Sequence, residues 1–148
     1  MKPNPALGPL HRAIGAWRTT GHHPYLPGRT LHGRASFEWI EGGAFVAMRT
    51  RMDDPEIPAG VAIFGTDDDA QRASMLYFDE RGVARKYDVE IRDEGFTWSR
   101  DAPSLSQRFG VTFADGAMRG RGEMSKDGVA WEKDLDLDYA RIEAGGSR

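Results

Sequence analysis

The sequence predicts an all-β protein: a single closed antiparallel meander β-barrel of about ten strands, preceded by a short N-terminal helix. Three observations carry this prediction. From Gly15 onward, apolar and polar residues alternate with the period of two that marks half-buried strands. The alternating segments are separated by turn chemistry, including Leu26-Pro27-Gly28, Glu41-Gly42-Gly43, Asp79-Glu80-Arg81-Gly82, Asp93-Glu94-Gly95, Asp115-Gly116 and Lys126-Asp127-Gly128. No connection between segments reaches the dozen or so residues that a parallel crossover needs, so sequence neighbours pair as hairpins. A meander of this many strands leaves two open edges unless it closes, and closure makes a barrel.

The helix is expected over residues 5–14, where Leu7, Leu10 and Ile14 share one face, with Pro5 near its start and Gly15 at its stop. The strands follow at 16–23, 30–40, 45–52, 61–66, 72–78, 83–92, 95–100, 106–113, 117–124 and 130–141. The longer connection at 55–59 carries Pro55 and Pro58 and reads as a loop over the rim. Asp67-Asp68-Asp69 lacks the alternating ligand spacing of a cation loop and reads as an acidic turn. The glycine-rich run at 116–122 is followed by no helix, so it offers no helix N-terminus to a phosphate. In the last strand Trp131, Lys133, Leu135, Leu137 and Tyr139 share one face, and Glu132, Asp134, Asp136 and Asp138 share the other. The acidic face is expected to point outward and the apolar face inward. In the third strand either Val46, Met48, Thr50 and Met52 or Phe45, Ala47, Arg49 and Arg51 can be internal. Residues 142–148 are expected to fray.

The bulk properties set limits. The 148 residues suit one domain with its own core, 1–148, with the barrel over 15–141. A net charge of −3, with no basic face obvious in the sequence, speaks against a nucleic-acid partner. The lack of cysteine removes disulfides, thiolate catalysis and cysteine zinc sites, and suits a reducing cytoplasm. Met1-Lys2-Pro3-Asn4-Pro5 has no apolar signal core, and no apolar run approaches the roughly 18 residues of a membrane span. A cytoplasmic protein with no membrane partner is expected.

Three local features add a resemblance. Gly15-Ala16-Trp17 opens the first strand just after the helix, Glu38-Trp39-Ile40-Glu41-Gly42-Gly43 ends the second, and Tyr139-Ala140-Arg141 closes the last. With the strand count, these resemble the calycin superfamily of lipocalins and fatty-acid-binding proteins. Within it they are most similar to a bacterial calycin-like family without an assigned function, whose barrels resemble nitrobindin. The resemblance implies that Trp17 plugs one end of the barrel and that Arg141 packs across it. Nitrobindin-like barrels imply a haem held by a histidine late in the chain. The histidines here, His11, His22, His23 and His32, are all early, so no cofactor and no metal is expected.

A barrel of about ten strands is wider than one that side chains fill completely, so some interior residues should line a cavity. Tyr77, Tyr87, Trp98 and Trp131 are the leading candidates, with Trp39 behind them, because each combines an apolar wall with a polar handle. His23 faces inward by parity with Trp17 and Thr19, as a general base or ligand contact, against the ordinary reading of a polar strand end. Arg108, mid-strand beside Phe109, is a candidate clamp for a carboxylate, with Arg49 weaker and Lys133 a third cation. The leading expectation is a small-molecule-binding barrel whose partner is a small hydrophobic or aromatic molecule, in one version carrying a carboxylate. The alternative is a small isomerase, cyclase or lyase that uses the same cavity. A haem or nitric-oxide protein ranks below both, and the outer sheet faces leave room for a homodimer.

Overall fold

A computed structural model describes residues 1–68 and 72–143. It contains strands β1 (Gly15–His22), β2 (Leu31–Ile40), β3 (Phe45–Met52), β4 (Gly60–Thr66), β5 (Ala73–Asp79), β6 (Ala84–Arg92), β7 (Gly95–Arg100), β8 (Ser106–Ala114), β9 (Ala117–Ser125) and β10 (Glu132–Arg141). Each pairs antiparallel with its sequence neighbours, and β1 pairs with β10, so the meander closes into a ten-stranded barrel with no free edge. The acidic turn expected at 67–69 falls partly, and the frayed end at 144–148 wholly, outside the described residues. Ile142, expected to fray, is tied down: its N–H donates to the Ala16 carbonyl at 2.8 Å.

The N-terminal helix, Pro5–Arg12, is a 3-10 helix. Pro9 in its middle lacks the N–H that an α-helix needs, and the chain winds instead with three-residue bonds such as Leu7 N–H to Asn4 O at 3.0 Å. At three residues per turn Leu7 and Leu10 eclipse one another, and both are fully buried against the barrel. The helix lies on the ends of β3, β4, β6 and β7 and closes that end. Behind it Phe37, Phe64, Phe96 and Phe113 pack in edge and tilted pairs with centroids 5.7–6.1 Å apart.

The same end holds the Trp17–Arg141 brace. Trp17 is buried, and its indole N–H donates to Ala13 O at 2.8 Å. The Arg141 guanidinium sits 4.2 Å from the Trp17 ring centre and donates to Ile14 O and Arg12 O at 2.7 and 2.9 Å. Gly15 makes room for it. Its φ is +132°, and a Cβ there would stand 2.6 Å from Arg141 Nη1. Glycine two residues before the tryptophan is therefore demanded by its positive φ, and its bare Cα leaves the guanidinium tip its place.

β3 resolves its two-sided pattern. Val46, Met48 and Met52 are buried inside with Thr50 beside them, while Phe45, Arg49 and Arg51 are exposed on the outer face. In β9, Gly120 and Gly122 belong to the glycine-rich run and face the interior. A Cβ on Gly120 would lie 2.4 Å from the Phe109 ring, so the missing side chain is the space that ring occupies. Phe109 can then stack on Trp98 with centroids 4.7 Å apart and planes 21° off parallel.

Candidate functional site

The other end of the barrel is open and encloses a cavity of about 270 Å³ between the ends of β1, β3, β5–β8 and β10. Its walls are aromatic. Tyr77 and Tyr87 meet edge to face at 6.2 Å, Tyr87 meets Trp98 at 6.5 Å, and Phe109 completes the series. Met48, Met52, Met75 and Leu137 form the apolar floor.

A polar group set crosses one side of this cavity. Gln107 Oε1 accepts from Arg85 Nη1 at 3.1 Å and from the Tyr87 hydroxyl at 3.2 Å, while its amide nitrogen donates to Asp134 at 3.5 Å. Asp134 also meets His23 Nε2 at 2.9 Å. His23 Nδ1 accepts the Tyr25 N–H at 3.0 Å, so in this arrangement the ring proton is on Nε2 and points at the carboxylate. Arg85 forms no ion pair among the described residues. It is half-buried, lines the cavity and is held by one neutral amide. At the rim, Asp79 accepts from the Tyr77 hydroxyl and from Arg81, both at 2.7 Å. The Arg81 hydrogen bonds, joined by that of Tyr77, hold the Asp79 carboxyl well below the usual carboxylate range. Burial, then the bond to Asp79, pushes the Tyr77 phenol well above its ordinary range.

Of the residues singled out in the sequence, Tyr77, Tyr87, Trp98 and His23 line this cavity together. Arg108 borders it only at the rim, and Trp39, Trp131 and Arg49 lie elsewhere. Arg108 points outward from β8 and pairs with Glu123 at 2.7 Å. Its guanidinium lies 3.8 Å over the Trp131 ring, so it reaches only the rim. Strand parity explains this: Gln107 and Phe109 take the inner positions on either side of it. Trp131 precedes β10 and serves as the platform under Arg108. Arg49 is on the outer face of β3. Trp39 is partly buried and packs against the core as β2 runs into the closed end.

Lys133 and Asp134 exchange the roles that alternation predicts. The β9–β10 register slips between Lys133↔Glu123 and Asp136↔Arg121, so two β10 residues oppose one β9 residue. This bulge turns Asp134 inward and leaves Lys133 exposed. Arg85 and Gln107 went unnoticed in the sequence, although a signal exists for both: each is two residues from an inward aromatic, Tyr87 or Phe109. The bulge has no comparable signal.

The residues present do not fit a haem. His23 is the cavity-lining histidine among the described residues, and both of its ring nitrogens are engaged in hydrogen bonds. His22 and His32 are exposed on the outer faces of β1 and β2.

No family model matches the chain, and no curated protein is similar enough to match it. Solved structures with similar folds do exist. The crystal structure of Rv2717c from M. tuberculosis superposes with a TM-score of 0.68 at 11% identity, covering 96% of this chain and all of that one. The S-type phycobiliprotein lyase CPES from Guillardia theta superposes with a TM-score of 0.57 at 10% identity over 91% of each chain. At these identities the likeness is one of fold, that of a closed antiparallel barrel. No helix among the described residues is long and apolar enough to cross a membrane.

Proposed function

We propose that this barrel is a cytosolic small-molecule-binding protein that holds an apolar or aromatic ligand with one acidic group in the open-end cavity. The ligand's flat part lies among Tyr77, Tyr87, Trp98 and Phe109, and its acidic group meets Arg85. The observation that supports this is the unpaired inward arginine inside an aromatic wall. A half-buried guanidinium with no carboxylate partner gives up part of its hydration, and a bound anion offsets that cost. The bidentate geometry of guanidinium suits a carboxylate. The volume is near the small end of ligand pockets, which begin at about 300 Å³, so a compact ligand fits best.

The test is fluorescence titration of Trp98 with 2-naphthoic acid and with its neutral analogue 2-naphthamide. The acid should bind, and Arg85→Leu should weaken it by about tenfold or more while leaving the amide unchanged. Failure of both compounds to perturb the cavity tryptophan would overturn the reading.

The lyase neighbour gives an enzymatic use of the same cavity a second place. His23 and Asp134 would be its acid–base pair. Both His23 nitrogens are already bonded, so a substrate would first have to displace the Tyr25 N–H.

A further inference from the structure

The outer face of the barrel carries a second feature, unconnected with the cavity. Across three neighbouring strands the register places Arg18 opposite Arg34 and Arg34 opposite Arg51. Arg49 lies one outward position further along β3, opposite Ser36 on one side and Val61 on the other. All four arginines are exposed on strand faces that point away from the core. Like charges placed directly opposite one another across strands destabilise a sheet. None of the four has an ion pair among the described residues, whereas Arg81, Arg92, Arg108 and Arg121 each have one and Arg29 has two. Of the acidic residues, Asp79 and Glu80 line an adjoining concavity, and both carboxylates already accept hydrogen bonds. Asp79 holds Arg81 and Tyr77, and Glu80 accepts the Ala59 N–H at 2.7 Å.

Three of the four arginines, Arg34, Arg49 and Arg51, line this concavity of about 580 Å³ together with Ser36, Asp79 and Glu80; it ends in an apolar wall of Val61 and Phe78, and Arg18 continues the row beside it. Phe78 is 44% exposed there. Cation and apolar surface therefore adjoin in one open groove, on a chain whose net charge is −3. Two copies meeting about a two-fold centred on the arginine row would oppose arginine with arginine, so self-association there does not relieve the repulsion.

We infer that this groove binds a compact, multiply charged anion of the phosphate class, an oligophosphate or a phosphorylated small molecule whose apolar part lies on Val61 and Phe78. Cross-strand neighbours are about 5 Å apart, so the Arg18–Arg34–Arg51 row concentrates three charges within about 10 Å. Guanidinium forks match phosphate oxygens bidentately. An extended acidic peptide presents carboxylates on one face only every second residue, about 7 Å apart, and matches the row less closely.

The experiment is a two-dimensional amide NMR titration of the intact chain with sodium pyrophosphate at fixed ionic strength. Shifts should concentrate on β1–β3 and the Val61–Phe78 end. The Arg34→Ala/Arg51→Ala variant should weaken binding by about tenfold or more with its spectrum otherwise dispersed. Arg121→Ala, which removes a paired arginine elsewhere, should leave binding as it is. The inference is overturned if pyrophosphate shifts no signals on this face, if Arg121→Ala weakens binding as much as the double variant, or if a glutamate-rich peptide or a single-stranded oligonucleotide binds there and pyrophosphate does not.

Discussion

The two ends of this barrel are built on opposite principles. At the closed end the interior is packed with apolar side chains: Leu7 and Leu10 press on a cluster of four phenylalanines, and Trp17 is covered by Arg141. At the open end the same strands carry Tyr77, Arg85, Gln107 and Asp134 inward, and they leave a space. The contrast separates what holds the fold from what the fold offers to a ligand. Substitutions at the two ends should accordingly split stability from binding.

The largest effect is expected at the closed end. Trp17→Ala removes a buried indole, its bond to Ala13 O and the platform under Arg141, and should cost about 3–5 kcal/mol in urea unfolding. The fraction that remains folded should still titrate with the aromatic acid. A loss of ligand affinity that matches the loss of stability would show that the two ends are not independent.

Gly120→Val tests the boundary between them. The added side chain meets Phe109 from β9 and drives it off Trp98, at an overpacking cost of about 1–3 kcal/mol. Near-ultraviolet circular dichroism from the Trp98–Phe109 stack should change, and ligand affinity should fall because one cavity wall has moved. Retention of both signals would mean that the stack contributes nothing to the cavity.

Next in size is the acid response of the rim. The folded-state pKa of Asp79 is depressed by Arg81 and Tyr77, so its contribution is present above the unfolded carboxyl value of about 3.9 and disappears as the pH falls below it. Asp79→Asn should therefore be less stable than the wild type at neutral pH, and the gap should close on acidification. Urea midpoints at several pH values would measure this; a gap independent of pH would remove the Asp79–Arg81–Tyr77 group from the acid response.

The same contrast governs how much the sequence revealed. Strand number, order and closure were legible because hairpin turns and strict alternation specify them locally. The Trp17–Arg141 brace was legible through a family resemblance, and the stacked guanidinium with its two carbonyl bonds supplies its physical reason. The open end was half legible. Tyr77, Tyr87 and Trp98 follow from parity, and Arg85 and Gln107 would have followed by extending the same parity two residues. Asp134 was hidden because a bulge spends one residue without advancing the register, and alternation counted from Tyr139 then assigns it to the wrong face.

The smallest expected effect is the most discriminating between the two ends' logic and the outer surface. Arg108 has the features that made it attractive as a ligand clamp: a mid-strand position, aromatic neighbours and a free-standing charge in the sequence. In the fold it lies outside, half exposed, against Glu123 and Trp131. An exposed ion pair is worth at most about 1 kcal/mol, and a surface cation–π contact about 0.5–1 kcal/mol. Arg108→Leu should thus shift stability by no more than about 1 kcal/mol and leave affinity for the aromatic acid unchanged. Arg85→Leu does the reverse: it leaves the outer surface intact and abolishes the preference for the acid over the amide. If Arg108→Leu instead removed that preference, the rim arginine would be the anion site, and the inward fork of Arg85 would be only a partner for Gln107.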